Sequence, residues 1–219
     1  MSEVGRLLGR PFPIIFAAPS GAGKTTIAQR LRERRDDVVF SISATTRDPR
    51  SYEHDGVDYH FVGEPEFRRM AGSGELLEWA EVHTRLYGTP RRNVEEAAAA
   101  GKHLILDIDV QGSRLVRRAI PEAVAIFVLP PSGQELVRRL VGRGSEDPSR
   151  RRRRLAAARR EIEAAAEFDY VIVNDDLDSS VAAVESIIDA ERRRSARLRG
   201  LPGFVEQLCR EVDEAVANG

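Results

Sequence analysis

One run of residues carries more chemistry than any other in the chain: Pro19-Ser20-Gly21-Ala22-Gly23-Lys24-Thr25-Thr26. Glycines let successive backbone N–H groups turn inward on an anion, and a helix opening at the last of them aims the positive end of its dipole at the same point. A lysine placed there reaches terminal phosphates, and a hydroxyl beside it can ligate the Mg²⁺ of a nucleoside triphosphate. The run therefore reads as a P-loop. Ala18 to Thr26 would cradle ATP phosphates, Lys24 would reach the β/γ-phosphates, and Thr25 would serve Mg²⁺. Ala18 stands where the motif has its first Gly, and the competing reading is a Gly-rich turn that happens to contain a lysine. Composition favours the first. Among 34 basic side chains only Lys24 and Lys102 are lysines, and one of them falls where a thin point charge suits better than a broad guanidinium.

A second cluster lies in residues 43–90. Arg47 and Arg50, three apart in a non-helical stretch, can fork onto one phosphate group, and Tyr59 and Tyr87 carry hydroxyls able to add donors. Glu78 interrupts the apolar run Leu76-Leu77-Glu78-Trp79, as a solvent-facing strand residue or as a recognition carboxylate. Asp107 ends the apolar run Leu104-Ile105-Leu106, the place of a Mg²⁺-side carboxylate or of a turn cap. Asp109, two residues on, shares its face if the strand continues. Arg139 and Arg143 lie four apart on one helix face, and Arg150 to Arg154 form an unbroken run, read as a solvated helix face or a nucleic-acid patch.

Positioning these groups requires alternating strands and helices. Apolar runs at 14–18, 38–42, 76–82, 104–106, 124–129 and 170–173 predict strands. Helices are expected over about 24–34, 91–100, 133–141, 150–167, 177–199 and 201–217. The rhythm implies an α/β fold with a parallel sheet covered on both faces. The polar stretch 43–60 reads as loop or binding segment inside an inserted unit. Phe204, Leu208, Val212 and Val216, four apart, make the last helix amphipathic, either docked on the core or binding a partner. The near-balanced charge, formally -1, argues against a surface built for nucleic acid. No run approaches the roughly 18 apolar residues of a membrane span, and one cysteine, Cys209, precludes an internal disulfide, so a cytoplasmic setting is expected.

Taken together, the P-loop, Ser43-x-x-Thr46-Arg47-x-Pro49-Arg50, Glu53-x-x-Gly56-x-x-Tyr59-x-Phe61, Leu77-Glu78-Trp79, Tyr87-Gly88-Thr89, Leu106-Asp107-Ile108-Asp109-x-Gln111-Gly112, Arg139-x-x-x-Arg143-Gly144 and Val173-Asn174-Asp175-Asp176 resemble the guanylate kinases in order and spacing over about residues 12–195. Ala18 resembles a variant found in bacterial members. The resemblance implies a P-loop core (about 12–42, 101–139 and 168–199), a GMP-binding insertion (about 43–90) and a helical lid (about 140–167), with 201–219 outside it. It implies that Arg47, Arg50, Tyr59 and Tyr87 hold the GMP phosphate, and that Ser43, Glu78, Thr89 and Asp109 read the base. Arg139, Arg143 and Arg154 would be the lid arginines, Arg154 belonging to the run above. Asn174 and Asp175 would lie at the adenine.

The expected activity is transfer of the γ-phosphate of ATP to GMP with Mg²⁺, by a monomer or small homo-oligomer and with no nucleic-acid or membrane partner. A P-loop kinase for another small phosphorylated acceptor would share Lys24 and the arginine pair but not the base-reading set. A non-catalytic guanylate-kinase-like binding module would tend to lack an intact phosphate loop.

Overall fold

The computed structural model describes residues 7, 9–82, 84–141 and 148–218. Five apolar segments, too short to bury themselves as helices, pair instead into one parallel sheet: β1 (Pro13–Ala17), β2 (Val38–Phe40), β7 (His103–Asp107), β8 (Val124–Leu129) and β9 (Tyr170–Val173). Their order is β2-β7-β1-β8-β9, with Ile14 opposite both Ile105 and Val124. Side chains of alternate parity go to opposite faces. Ile14, Phe16, Ile105 and Ile126 join Ile27 and Leu31 of α1 (Lys24–Arg34) and Val184 and Ile188 of α7 (Leu177–Arg192). Ile15, Leu104, Leu106 and Ala125 pack with Ala97 of α3 (Arg91–Ala99) and Val116 of α4 (Val110–Ala119). Both faces are covered, which is why β1 is apolar at every position.

Residues 43–90 build a second, four-stranded sheet, ordered β4-β3-β6-β5 from β3 (Ala44–Thr45), β4 (His60–Phe61), β5 (Leu76–Val82) and β6 (Arg85–Pro90). The expected loop at 43–60 thus begins and ends in short strands. Helix α2 (Glu64–Gly72) inserts Phe67, fully buried, between Ala44, Leu76 and Leu86. Gly88 sits where β6 crosses β5 so closely that a Cβ would stand 2.9 Å from the Leu76 side chain and 3.0 Å from the Glu78 carbonyl.

The larger boundary shifts affect three elements. The second strand stops at Phe40 rather than 42. The helix expected over 150–167 is α6 (Pro148–Glu163), tightening to a 3₁₀ turn at Ala164–Glu167. The helix expected over 177–199 ends at Arg192. Buried Glu191 causes that stop: it accepts from the Tyr170 hydroxyl at 2.7 Å and pairs with Arg194 at 3.2 Å and Arg197 at 3.1 Å, folding the chain back. Arg197 then stacks its guanidinium 4.1 Å above the Phe12 ring. Helices α2 and α4, with Pro65 and Gly112 near their starts, were not among the expected elements. Helix α8 (Leu201–Ala217) buries none of its side chains, so the expected docking on the core is absent among the described residues. Helix α5 (Gly133–Val141) lies against α6 through Leu136, Leu140 and Ala158. Among the described residues no helix is long and apolar enough to cross a membrane.

Phe127, fully buried in β8 with its ring 4.9 Å from that of Phe168, tests this core. Phe127→Ala should cost about 3–5 kcal/mol, read as a lower urea midpoint at unchanged slope.

Candidate active site

Strand order reverses at β1, with β2 and β7 to one side and β8 and β9 to the other. In open α/β sheets the crevice beyond the carboxyl ends of such strands is where ligands bind. The run Ala18–Thr26 occupies that place, and Gly21 and Gly23 take φ of 88° and 92°, a left-handed backbone that favours glycine. Gly23 ends the loop as the N-cap of α1. Lys24 Nζ donates to the carbonyls of Phe16 and Ile108, each at 3.4 Å, and pairs closely with the Asp107 carboxylate.

The loop is held from behind. Buried Asn174 donates from Nδ2 to the Ala22 carbonyl at 2.8 Å and accepts from the Ser180 hydroxyl at 3.1 Å. A Cβ on Gly23 would collide with that amide. Arg139 reaches the Gly21 and Ala22 carbonyls at 3.4 and 3.5 Å while Glu135 holds its Nε at 2.6 Å. From α6, Glu161 accepts from the Ser20 N–H at 3.4 Å, and burial pushes its carboxyl above the usual range. The resulting cavity, about 900 Å³, is lined by Ala18 to Thr26, Asp107 to Asp109, Arg139, Glu161, Asn174 and Asp175.

A smaller cavity of about 180 Å³ shares the wall Asp107-Ile108-Asp109 and is closed by Ser43, Tyr59, Glu78, Tyr87, Gly88 and Gly112. Glu78 is buried, and the Thr89 hydroxyl opposite it across the β5–β6 ladder donates to its Oε1 at 2.7 Å. Burial raises the Glu78 pKa; the Thr89 bond opposes the rise and nearby Asp109 adds to it. Asp109 does not lie on a continued strand. It caps α4 by accepting from the Gly112 N–H at 2.7 Å, yet still lines both cavities.

Arg47 lies over the Tyr59 ring, 5.4 Å from its centroid, and is gripped by Glu53 through two bonds of 2.9 Å each. Arg47, then the Arg50 N–H, hold the Glu53 carboxyl below its usual range. The Arg50 guanidinium donates to the Tyr52 hydroxyl at 3.0 Å and also lies 3.8 Å from Glu53 Oε1, so both arginines meet at the Glu53 carboxylate. Thr25 and Asp175 are exposed at the large cavity. Arg154 turns toward the Leu140 carbonyl at 3.5 Å instead of lining either cavity, and Arg143 falls outside the described residues. The sequence reading quoted Glu53 within a motif but gave it no role, and it missed Glu161 and the bracing role of Asn174. Only Glu53 carried a signal, as an acid set close to two arginines.

The sequence profile of guanylate kinase matches residues 10–191. The guanylate kinase of Gluconobacter oxydans is 50% identical over 198 residues, covering 90% of this chain and 95% of that protein. The chain belongs to the guanylate kinase family. The Sphingopyxis alaskensis family member is 44% identical and aligns over 98% of both chains, so its length includes the C-terminal segment. The crystal structure of guanylate kinase from Anaplasma phagocytophilum superposes with a TM-score of 0.76 at 35% identity, over 92% of this chain and 97% of that one.

The raised pKa of Glu78 fixes the sign of a stability test. A carboxyl whose pKa is higher folded than unfolded stabilises the fold only while protonated, and that contribution is lost as pH rises through the folded value. Glu78→Gln should therefore melt at or above the wild-type temperature at pH 7. The difference should close as pH falls below about 4.3, the ordinary Glu value, as followed by thermal unfolding across pH.

Proposed function

We propose that this chain transfers the γ-phosphate of ATP to GMP, giving ADP and GDP. One observation carries the reading beyond family membership: a lysine-bearing phosphate loop and a buried carboxylate face each other across the single wall Asp107-Ile108-Asp109. Guanine presents two adjacent donors, N1–H and the 2-amino group, and an ionised Glu78 accepts both. Adenine has an acceptor at N1 and would leave the buried carboxylate unpaired, a mismatch worth about 10⁴-fold in discrimination. Thr89, Ser43 and Asp109 frame that edge. Tyr59, Tyr87, Arg47 and Arg50 would receive the GMP phosphate, in competition with Glu53 for the Arg47 fork.

On the ATP side the backbone of Ala18 to Thr26 would wrap the phosphates. Lys24, partnered now by Asp107, would turn to the β/γ-oxygens. Among the described residues no group of three or more His, Cys, Asp or Glu is arranged to hold a metal. Mg²⁺ keeps several waters and phosphate oxygens and takes few protein ligands. The Thr25 hydroxyl and the Asp107 carboxylate would hold it, and when bound it offsets charge on the bridging phosphate oxygens. Arg139, Arg143 and Arg154 would stabilise charge on the group in flight. The second sheet would act as the acceptor arm and α5–α6 as a lid, closing to exclude water, the competing acceptor. A nucleotide phosphate is already largely deprotonated at neutral pH, so the chain need supply only position and positive charge. Asn174, bound to the loop carbonyl, would act through the loop, leaving Asp175 at the adenine. The cytoplasmic setting is part of this proposal; the lone, exposed Cys209 suits a reducing compartment.

ADP release should be fast with GMP or dGMP and at background with AMP, CMP, UMP and dTMP; fast release with another acceptor would discard the base-reading set. Lys24→Ala should cut turnover by about 10³-fold or more while GMP binding stays measurable by calorimetry. Glu78→Gln should lower the preference for GMP over AMP by about 10²-fold, read as the ratio of kcat/KM values.

A further inference from the structure

Helix α6 carries seven arginines, and spacing decides which acids they tie down. Glu163 takes Arg159, four residues back, at 2.9 Å. Glu161 has no such neighbour. The residues three and four away on either side of it are Ala157, Ala158, Ala164 and Ala165, so its own helix cannot hold its carboxylate. Among the described residues its one hydrogen bond goes to the phosphate loop, where Oε2 accepts from the Ser20 N–H at 3.4 Å.

That contact is a substitution. The N–H groups of the loop are turned in to receive phosphate oxygens, and a carboxylate oxygen matches one in charge and as an acceptor. Arg139 of α5 does not compete in this way, because it takes the Gly21 and Ala22 carbonyls. Leu136, Leu140 and Ala158 pack α5 against α6, so the pair grips the loop by its carbonyls and by an N–H at once. Only the second grip stands in the way of a nucleotide. Glu161 also lines a second cavity of about 510 Å³, together with Val110, Gln111 and Arg114 of α4 and Arg160 of its own helix. That cavity gives a displaced carboxylate polar company, so a phosphate can take its place while α6 stays folded.

We propose that Glu161 is a positioning residue that competes with nucleotide phosphate for the Ser20 N–H, weakening ATP and ADP binding and tying the place of α6 to the contents of the loop. The proposal rests on the reading of Ala18 to Thr26 as the ATP cradle. With the carboxylate on Ser20, α6 is drawn onto the loop. With phosphate there, like charge turns Glu161 away toward α4. The returning carboxylate then helps product ADP to leave.

Calorimetry on the full chain with Mg²⁺, using ADP and a non-hydrolysable ATP analogue, reads this without turnover. Glu161→Gln keeps an amide oxygen for the Ser20 N–H and removes the charge. It should bind both nucleotides about tenfold more tightly, with GMP affinity unchanged because Glu161 is not in the wall of the smaller cavity. In steady state the KM for ATP should fall while the KM for GMP holds, and ADP should dissociate about tenfold more slowly. Glu163→Gln removes the same charge from the same helix and should change neither affinity. Unchanged or weaker nucleotide binding by Glu161→Gln would overturn the proposal. So would equal tightening by Glu163→Gln, since the effect would then be one of overall charge. A wild-type chain that binds neither nucleotide would overturn the reading of the loop along with it.

Discussion

The structure turns on a difficulty of electrostatics: backbone N–H groups and an ammonium must converge on a point where no anion is permanently present. Gly21 and Gly23 allow the loop to curl, but permissive residues alone would leave it free to uncurl. The surroundings supply the restraint. Asn174 and Arg139 hold loop carbonyls from outside, so its N–H groups stay turned in. Asp107 occupies Lys24, and Glu161 gives Ser20 a provisional acceptor. These partners come from the end of β7, the turn after β9, and helices α5 and α6, so the site is assembled only when segments far apart in the chain come together.

The second cavity inverts that logic. Its defining group is an anion kept from water, Glu78, and the nearby cation Arg47 is spoken for by Glu53. Two cavities of opposite character meet at three residues, Asp107 to Asp109, where β7 gives way to α4. In the proposed reaction this is the natural line for in-line transfer between two anionic substrates, since each is held from its own side and little protein stands between them.

Much of the architecture was legible in the sequence because its punctuation is strong. Pro130-Pro131 ends β8 at Leu129, Gly101 follows α3, and Leu-Pro-Gly opens α8 at Leu201. The P-loop could be placed because its chemistry is local. What escaped depends on partners distant along the chain. Nothing near Arg192 signals a helix end; Glu191, buried against Tyr170, decides it. Asn174 sits 152 residues from the carbonyl it braces, and Glu161 is one acid on an arginine-rich helix. Asp109 would share the face of Asp107 only if the strand continued; the strand stops at Asp107, and the Asp109 carboxylate caps the free N–H groups of α4 instead.

The arginine bias has a practical side. Guanidinium groups ignore most acylating reagents at neutral pH, so Lys24 and Lys102 hold all the side-chain amines of the molecule. One of the two lies in the phosphate loop, 17% exposed and half-shielded by Asp107. A mild amine label is thereby turned into a reporter of that loop. Lys102, remote in the sequence and just ahead of β7, serves as its internal standard.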